Sequence, residues 1–220
     1  MQRIILVNPN TSEPLTADMV EIARASAPAG LRIDGLTARF GAPLLTNEAE
    51  IDEAARAVCA LAPELAQGAD AVIVSAFGDP GADDLAALLD RPVVGIAEAG
   101  MRAAAADGRR FAVVSHTRRL VRRMALRAEE IGLGARCVGV FATEDDPVAL
   151  MATPVALENA LRVLAEQAVA QHGAEAILIG GGPLGRVAKA LRGKVGVPVI
   201  EAIPEAVRYL AAALAANATR

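Results

Sequence analysis

Short runs of consecutive apolar residues alternate along this chain with longer stretches in which apolar residues recur every three or four positions. Runs of the first kind read as buried strands, and stretches of the second as amphipathic helices. Strands are expected at residues 3–7, 31–36, 71–75, 92–96, 110–115, 135–140, 176–180 and 197–200. Helices are expected after the break "NPNTSEP", and at 47–66, 83–89, 97–107, 118–131, 154–171 and 203–217. Thr11 or Ser12 can cap the first helix, with Glu13 and Pro14 in its opening turn. Asn47 caps the second, with Glu50 at the capping-box position. Residues 37–46 and 141–153 read as loops, and "GGGPLG" as a turn.

The pattern runs twice. "RFAVVS" at 110–115 repeats "RIILVN" at 3–8, and "AILIGGGPL" at 176–184 echoes "AVIVSAFGDPG" at 71–81. Strands alternating with helices favour parallel sheets with right-handed crossovers. The expected fold is α/β: two pseudo-symmetric lobes, each a short parallel four-stranded sheet flanked by helices, with a ligand cleft between them. Residues 1–97 form the first lobe and 98–202 the second. Residues 203–220 close the chain with a helix that can pack on either lobe.

Composition narrows the function classes. The chain has 220 residues, 54% of them hydrophobic and only 2% aromatic, so small aliphatic side chains must fill an ample core. Net charge is −4. The basic run "RRLVRRMALR" reads as a solvated helix face, so nucleic acid is not an expected partner. No apolar run is long enough to span a bilayer, and neither a leader before the first strand nor a membrane partner is expected. Cys59 and Cys137 make no metal-ligand spacing, and they read as core thiols of a reducing, cytoplasmic compartment. No metal or cofactor is expected. There is no P-loop lysine and no GxGxxG after the first strand, which argues against a nucleotide.

Candidate chemistry gathers where strands end. In a parallel sheet, ligands bind at the carboxyl ends of strands, where turns and helix N-termini present unpaired N–H groups suited to a carboxylate or imide oxygen. Four loops meet that description: 8–12, 76–81, 115–118 and 181–185. The substrate-binding candidates are Asn8, Asn10, Thr11, Ala76, Phe77, Gly78, Ser115, Thr117, Gly181, Gly182 and Pro183. Catalytic candidates are Ser75, His116 and Glu201, of which the histidine titrates nearest neutrality. Asp79 is expected to fix its own turn. Glu98 reads as a first-turn helix acid, and His172 as a helix-terminal residue favoured by the dipole.

Taken together, "ILVNPNTS", "FGDPG" followed by "PVVGIAEA", "RFAVVS", and the second glycine turn followed by "VPVIEA" resemble the hydantoin racemase branch of the aspartate/glutamate racemase superfamily. The resemblance covers essentially the whole chain. It implies two related α/β lobes, no cofactor, frequent homo-oligomers, and a small carboxylate or hydantoin-like substrate. It also implies a two-base mechanism, with one cysteine from each lobe working a face of the substrate α-carbon. The positions matching those cysteines hold Ala76 and Gly181 here, so the two-thiol mechanism does not carry over. Three functions follow from the resemblance: an isomerase with its chemistry on other groups, a decarboxylase or lyase relative, and a catalytically inactive small-ligand-binding protein.

Overall fold

The computed structural model describes residues 2–218. The first sheet is built from β1 (Gln2–Asn8), β2 (Leu31–Thr37), β3 (Ala71–Val74) and β4 (Val93–Gly95). All its pairings are parallel, in the order β2-β1-β3-β4. Around it lie α1 (Glu13–Arg24), α2 (Glu48–Cys59), α3 (Ala62–Gly68) and α4 (Ala82–Leu88). Helix α5 (Ile96–Ala104) leaves the end of β4. The second sheet repeats the plan. It has β5 (Phe111–Ser115), β6 (Cys137–Ala142), β7 (Ala176–Ile179) and β8 (Val199–Glu201), in the order β6-β5-β7-β8. Its helices are α6 (Val121–Glu130), α7 (Pro147–Met151), α8 (Pro154–His172) and α9 (Gly185–Leu191), and α10 (Ala202–Ala218) follows β8.

The chain divides into two compact units. One runs to Ala99 and resumes from Ile203, and the other is Gly100–Ala202. In each, the inner strands are apolar along their whole length because helices cover both faces of a parallel sheet. Every residue of β3, β5 and β7 is buried. In the first unit, Val7, Val72 and Val74 pack with Val58, Leu65 and Leu85 from the helices. In the second, Val114, Ile177 and Ile179 pack with Leu157, Leu161 and Leu191.

Capping follows the sequence. Ser12 Oγ accepts from Leu15 N, and Asn47 Oδ1 accepts from Glu50 N. The Glu50 carboxylate turns back onto Thr46, accepting from its amide at 2.6 Å and its hydroxyl at 3.0 Å. Partial burial pushes the Glu50 carboxyl up, but these bonds to the charged form outweigh it and hold the group below its ordinary value.

Four expectations need correction. The helix expected over 47–66 is two helices, because Pro63 in the opening turn of α3 cannot continue α2. The loop expected over 141–153 contains α7, which starts at Pro147 and is capped by Asp146 Oδ1 accepting from Ala149 N. A further helix, α9, follows the "GGGPLG" turn. Strand β6 begins at Cys137 because a 3-10 turn takes up Gly134–Arg136.

Candidate functional site

In each sheet the chain leaves the second strand in the order toward one edge, then returns beside it on the other side. The crevice between β1 and β3, and that between β5 and β7, are therefore topological switch points. Register fixes which residues border them. Val7 pairs with Val74, and Ser75 N donates to Val7 O at 2.8 Å, which brings Asn8 beside Ser75 and Ala76 just beyond. Val114 pairs with Ile179, and Gly180 N donates to Val114 O at 2.8 Å, which places Ser115 and Gly181 equivalently. Ala76 and Gly181 thus hold matching places in the two repeats.

In the first unit most polar side chains at this edge hold one another. Asn8 is fully buried, and its amide nitrogen donates to Asn10 Oδ1 (2.8 Å), Ser12 O (3.0 Å) and Thr16 Oγ1 (3.0 Å). Asn10 Oδ1 also accepts from Ser12 N, and Thr11 N donates to Ala42 O. The loop is thereby shaped from within, with the Asn8 amide nitrogen engaged in it. Ser75 is buried and its hydroxyl donates to Met19 Sδ. Ala76 is half-buried, while Phe77 and Gly78 are buried, the latter at φ +104°.

Asp79 does more than shape its turn. Its carboxylate accepts from Ala97 N at 2.7 Å and Glu98 N at 2.8 Å, and so caps the start of α5. The residue is left-handed (φ 52°) and buried. The carboxylate fits only because residue 95 has no side chain, since a Cβ on Gly95 would fall 1.9 Å from Asp79 Cγ.

The second unit keeps the plan with different chemistry. Ser115 Oγ donates to Gly180 O at 2.7 Å and accepts from Thr117 N. Thr143 N donates to Ser115 O, and its hydroxyl donates to His116 O. Gly181 is half-buried with extended backbone (φ 161°), and Gly182 is buried. The Pro183 side chain lies outside the described residues. A Cβ on Gly181 would meet Leu184 Cδ1 at 2.8 Å and Cγ at 2.9 Å, with His116 Cε1 at 3.7 Å. Glu201, at the end of β8, is held by Arg192 at 2.7 Å.

His116 stands apart. It is 4% exposed, and neither ring nitrogen has a hydrogen-bond partner. Buried polar atoms are rarely left this way, because an unmet donor or acceptor costs roughly 1–3 kcal/mol. Burial pushes its pKa down from 6.5 to about 4, so the ring is neutral at pH 7. The unfolded chain then binds one more proton than the folded chain between those values. This contribution to stability is complete above about pH 6.5 and is lost as pH falls toward 4. Urea unfolding at pH 7 and pH 4.5 should show the parent losing about 2–3 kcal/mol more than His116→Asn. Equal losses would mean that the ring is solvated in the folded protein.

Neither thiol belongs to these loops. Cys59 ends α2, and burial followed by the charge of Asp84 raises its pKa. Cys137 opens β6, at the far end of that strand from Ala142, which pairs with Ser115. Burial raises its pKa too. Among the described residues, no cluster of three or more His, Cys, Asp or Glu could hold a metal, and no helix is long and apolar enough to cross a membrane.

The family model for Asp/Glu/hydantoin racemases matches residues 4–210. The chain belongs to this family. A hydantoin racemase of Paenarthrobacter aurescens is 31% identical over 218 residues, covering 94% of this chain and 88% of that protein. Among solved structures, the allantoin racemase of Pseudomonas fluorescens matches with TM-score 0.94 and 34% identity, over 98% of this chain and 92% of its own. The allantoin racemase of Klebsiella pneumoniae matches with TM-score 0.92 and 29% identity, over 99% and 89%. Membership in the racemase family matches the resemblance carried by the strand-end motifs. Sequence reasoning missed the Asp79–Gly95 fit and the seat of Leu184 over Gly181. The glycine ending β4 and the leucine three residues past Gly181 were the only signals for them.

Proposed function

We propose that this chain is an isomerase-type member of its family that takes a small carboxylate or hydantoin-like molecule at its strand-end loops. It works without a cofactor and without the two-thiol step, as a cytoplasmic homo-oligomer. The buried imidazole of His116, unpartnered beside Gly181, carries this reading. Such a group is stabilised when a ligand supplies the missing bonds. The names of the relatives, hydantoin racemase and allantoin racemase, support that substrate class. Ser75 and Glu201 are weaker candidates, because one is bound to Met19 and the other to Arg192.

A second reading, a ligand-binding protein without turnover, draws support from Ala76 and Gly181, neither of which can carry a proton. Calorimetric titration with allantoin, 5-methylhydantoin and aspartate tests both. Saturable binding of at least one is expected, weakened by His116→Gln. No binding across the set would overturn the proposal. Proton exchange at the α-carbon then separates enzyme from binder.

A further inference from the structure

Several groups at the strand ends could in principle move a proton, and the structure disposes of nearly all of them. The Ser75 hydroxyl donates to Met19, and the Ser115 hydroxyl donates to Gly180 O. The Asp79 carboxylate is held by two backbone amides, and Glu201 by Arg192. Positions 76 and 181 hold Ala and Gly. The imidazole of His116 remains, with both nitrogens unpartnered. Its Cε1, the carbon between those nitrogens, lies 3.7 Å from where a Cβ of Gly181 would stand, a point that the Leu184 side chain also crowds, so the ring lies next to position 181. Burial keeps the ring in its base form at neutral pH.

Resting on the reading above, we propose that His116 alone moves the substrate α-proton, from the second unit only, so that exchange with solvent occurs on one face and configuration is retained. The α C–H bond breaks as an N–H bond forms on the ring. The electron pair passes into the adjacent carbonyl as an enolate, stabilised by its resonance. The imidazolium exchanges its proton for a solvent deuteron and returns it to the same carbon face. No oxidant, reductant or second base takes part. Racemisation needs delivery to the opposite face, and among the described residues the strand-end loops hold no second buried side chain with unpartnered nitrogen or oxygen atoms. The single group also sets the scale: general base catalysis by one side chain contributes roughly 10²–10⁴-fold, and the basicity that burial takes from this ring puts it at the lower end.

The test uses the full chain with L- and D-5-methylhydantoin in D₂O, following deuterium by NMR and configuration by chiral chromatography, with a protein-free control. One enantiomer should exchange above the control without inverting, while the other binds without exchanging. His116→Gln, which keeps a polar side chain of similar reach, should lower exchange at least 100-fold while the fold, read by circular dichroism, is kept. The parent's stereochemistry tests the proposal even if that variant does not fold. Inversion keeping pace with exchange would reveal a second proton-transfer group and overturn the proposal. Exchange surviving in folded His116→Gln would overturn it as well. Saturable binding with no exchange would overturn it while leaving the ligand-binding reading intact, whereas absence of binding would remove both.

Discussion

Cysteine at both position 76 and position 181 should give this chain racemisation of 5-methylhydantoin well above the parent. The resemblance to hydantoin racemases assigns one proton-transfer thiol to each unit, and the register places Ala76 and Gly181 at matching strand ends. Ala76 is half-buried, so the Ala76→Cys change adds one sulfur beside existing space. Gly181 has extended backbone that any residue adopts. Its obstacle is Leu184, whose Cδ1 could rotate away but whose Cγ lies 2.9 Å from the new Cβ. The effective variant is therefore Ala76→Cys with Gly181→Cys and Leu184→Ala, which removes the γ-carbon. Trimming the buried leucine to alanine should cost about 2–5 kcal/mol, so folding of the triple variant is checked by circular dichroism. Backbone N–H groups at the strand ends should lower the thiol pKa values. Each thiol supplies roughly 10²–10⁴-fold for its own face, so either single cysteine should exchange without racemising. Decay of optical rotation from an enantiopure hydantoin measures the gain. A folded triple variant that binds but does not racemise would show that these positions do not carry the family chemistry.

Gly95→Ala should be among the most damaging small substitutions in the first unit. The new methyl would lie 1.9 Å from Asp79 Cγ and 2.2 Å from Oδ1, so the carboxylate must leave the amides of Ala97 and Glu98. Overpacking of about 1–3 kcal/mol adds to a lost cap of about 0.5–2 kcal/mol. A total near 3 kcal/mol corresponds to a fall in Tm of roughly 6–12 °C for a chain of this size. Adding Asp79→Gly removes the clash and suits the left-handed backbone, so the double variant should be more stable than Gly95→Ala alone. A Gly95→Ala protein within 0.5 kcal/mol of the parent in urea unfolding would contradict this geometry.

The inner strands were legible because a strand covered on both faces must be apolar throughout, as "AVIV" and "AILI" are. Short helices such as α7 and α9 were not, because too few turns exist to establish a period. The strand-end loops could be located from their glycines and turn residues. What their side chains do could not. Asn8 bonds to Asn10, Ser12 and Thr16, and Ser75 to Met19, contacts that depend on how α1 lies against the sheet. The Asp79–Gly95 fit depends on β4 pairing with β3, where Val74 lies opposite Gly95. His116 differs in that its chemistry was visible in sequence while its isolation was not, since burial without a partner is a property of the folded unit.

Imidazole ¹⁵N NMR of His116, recorded as 5-methylhydantoin or allantoin is titrated in, tests the central claim most directly. Without ligand the ring should show neutral nitrogens with no strong hydrogen bond at pH 7. A saturable shift of at least one nitrogen, tracking the calorimetric isotherm, is the result expected if the strand-end loops take the ligand. Saturable binding that leaves both nitrogens unmoved would place the ligand elsewhere and contradict the account.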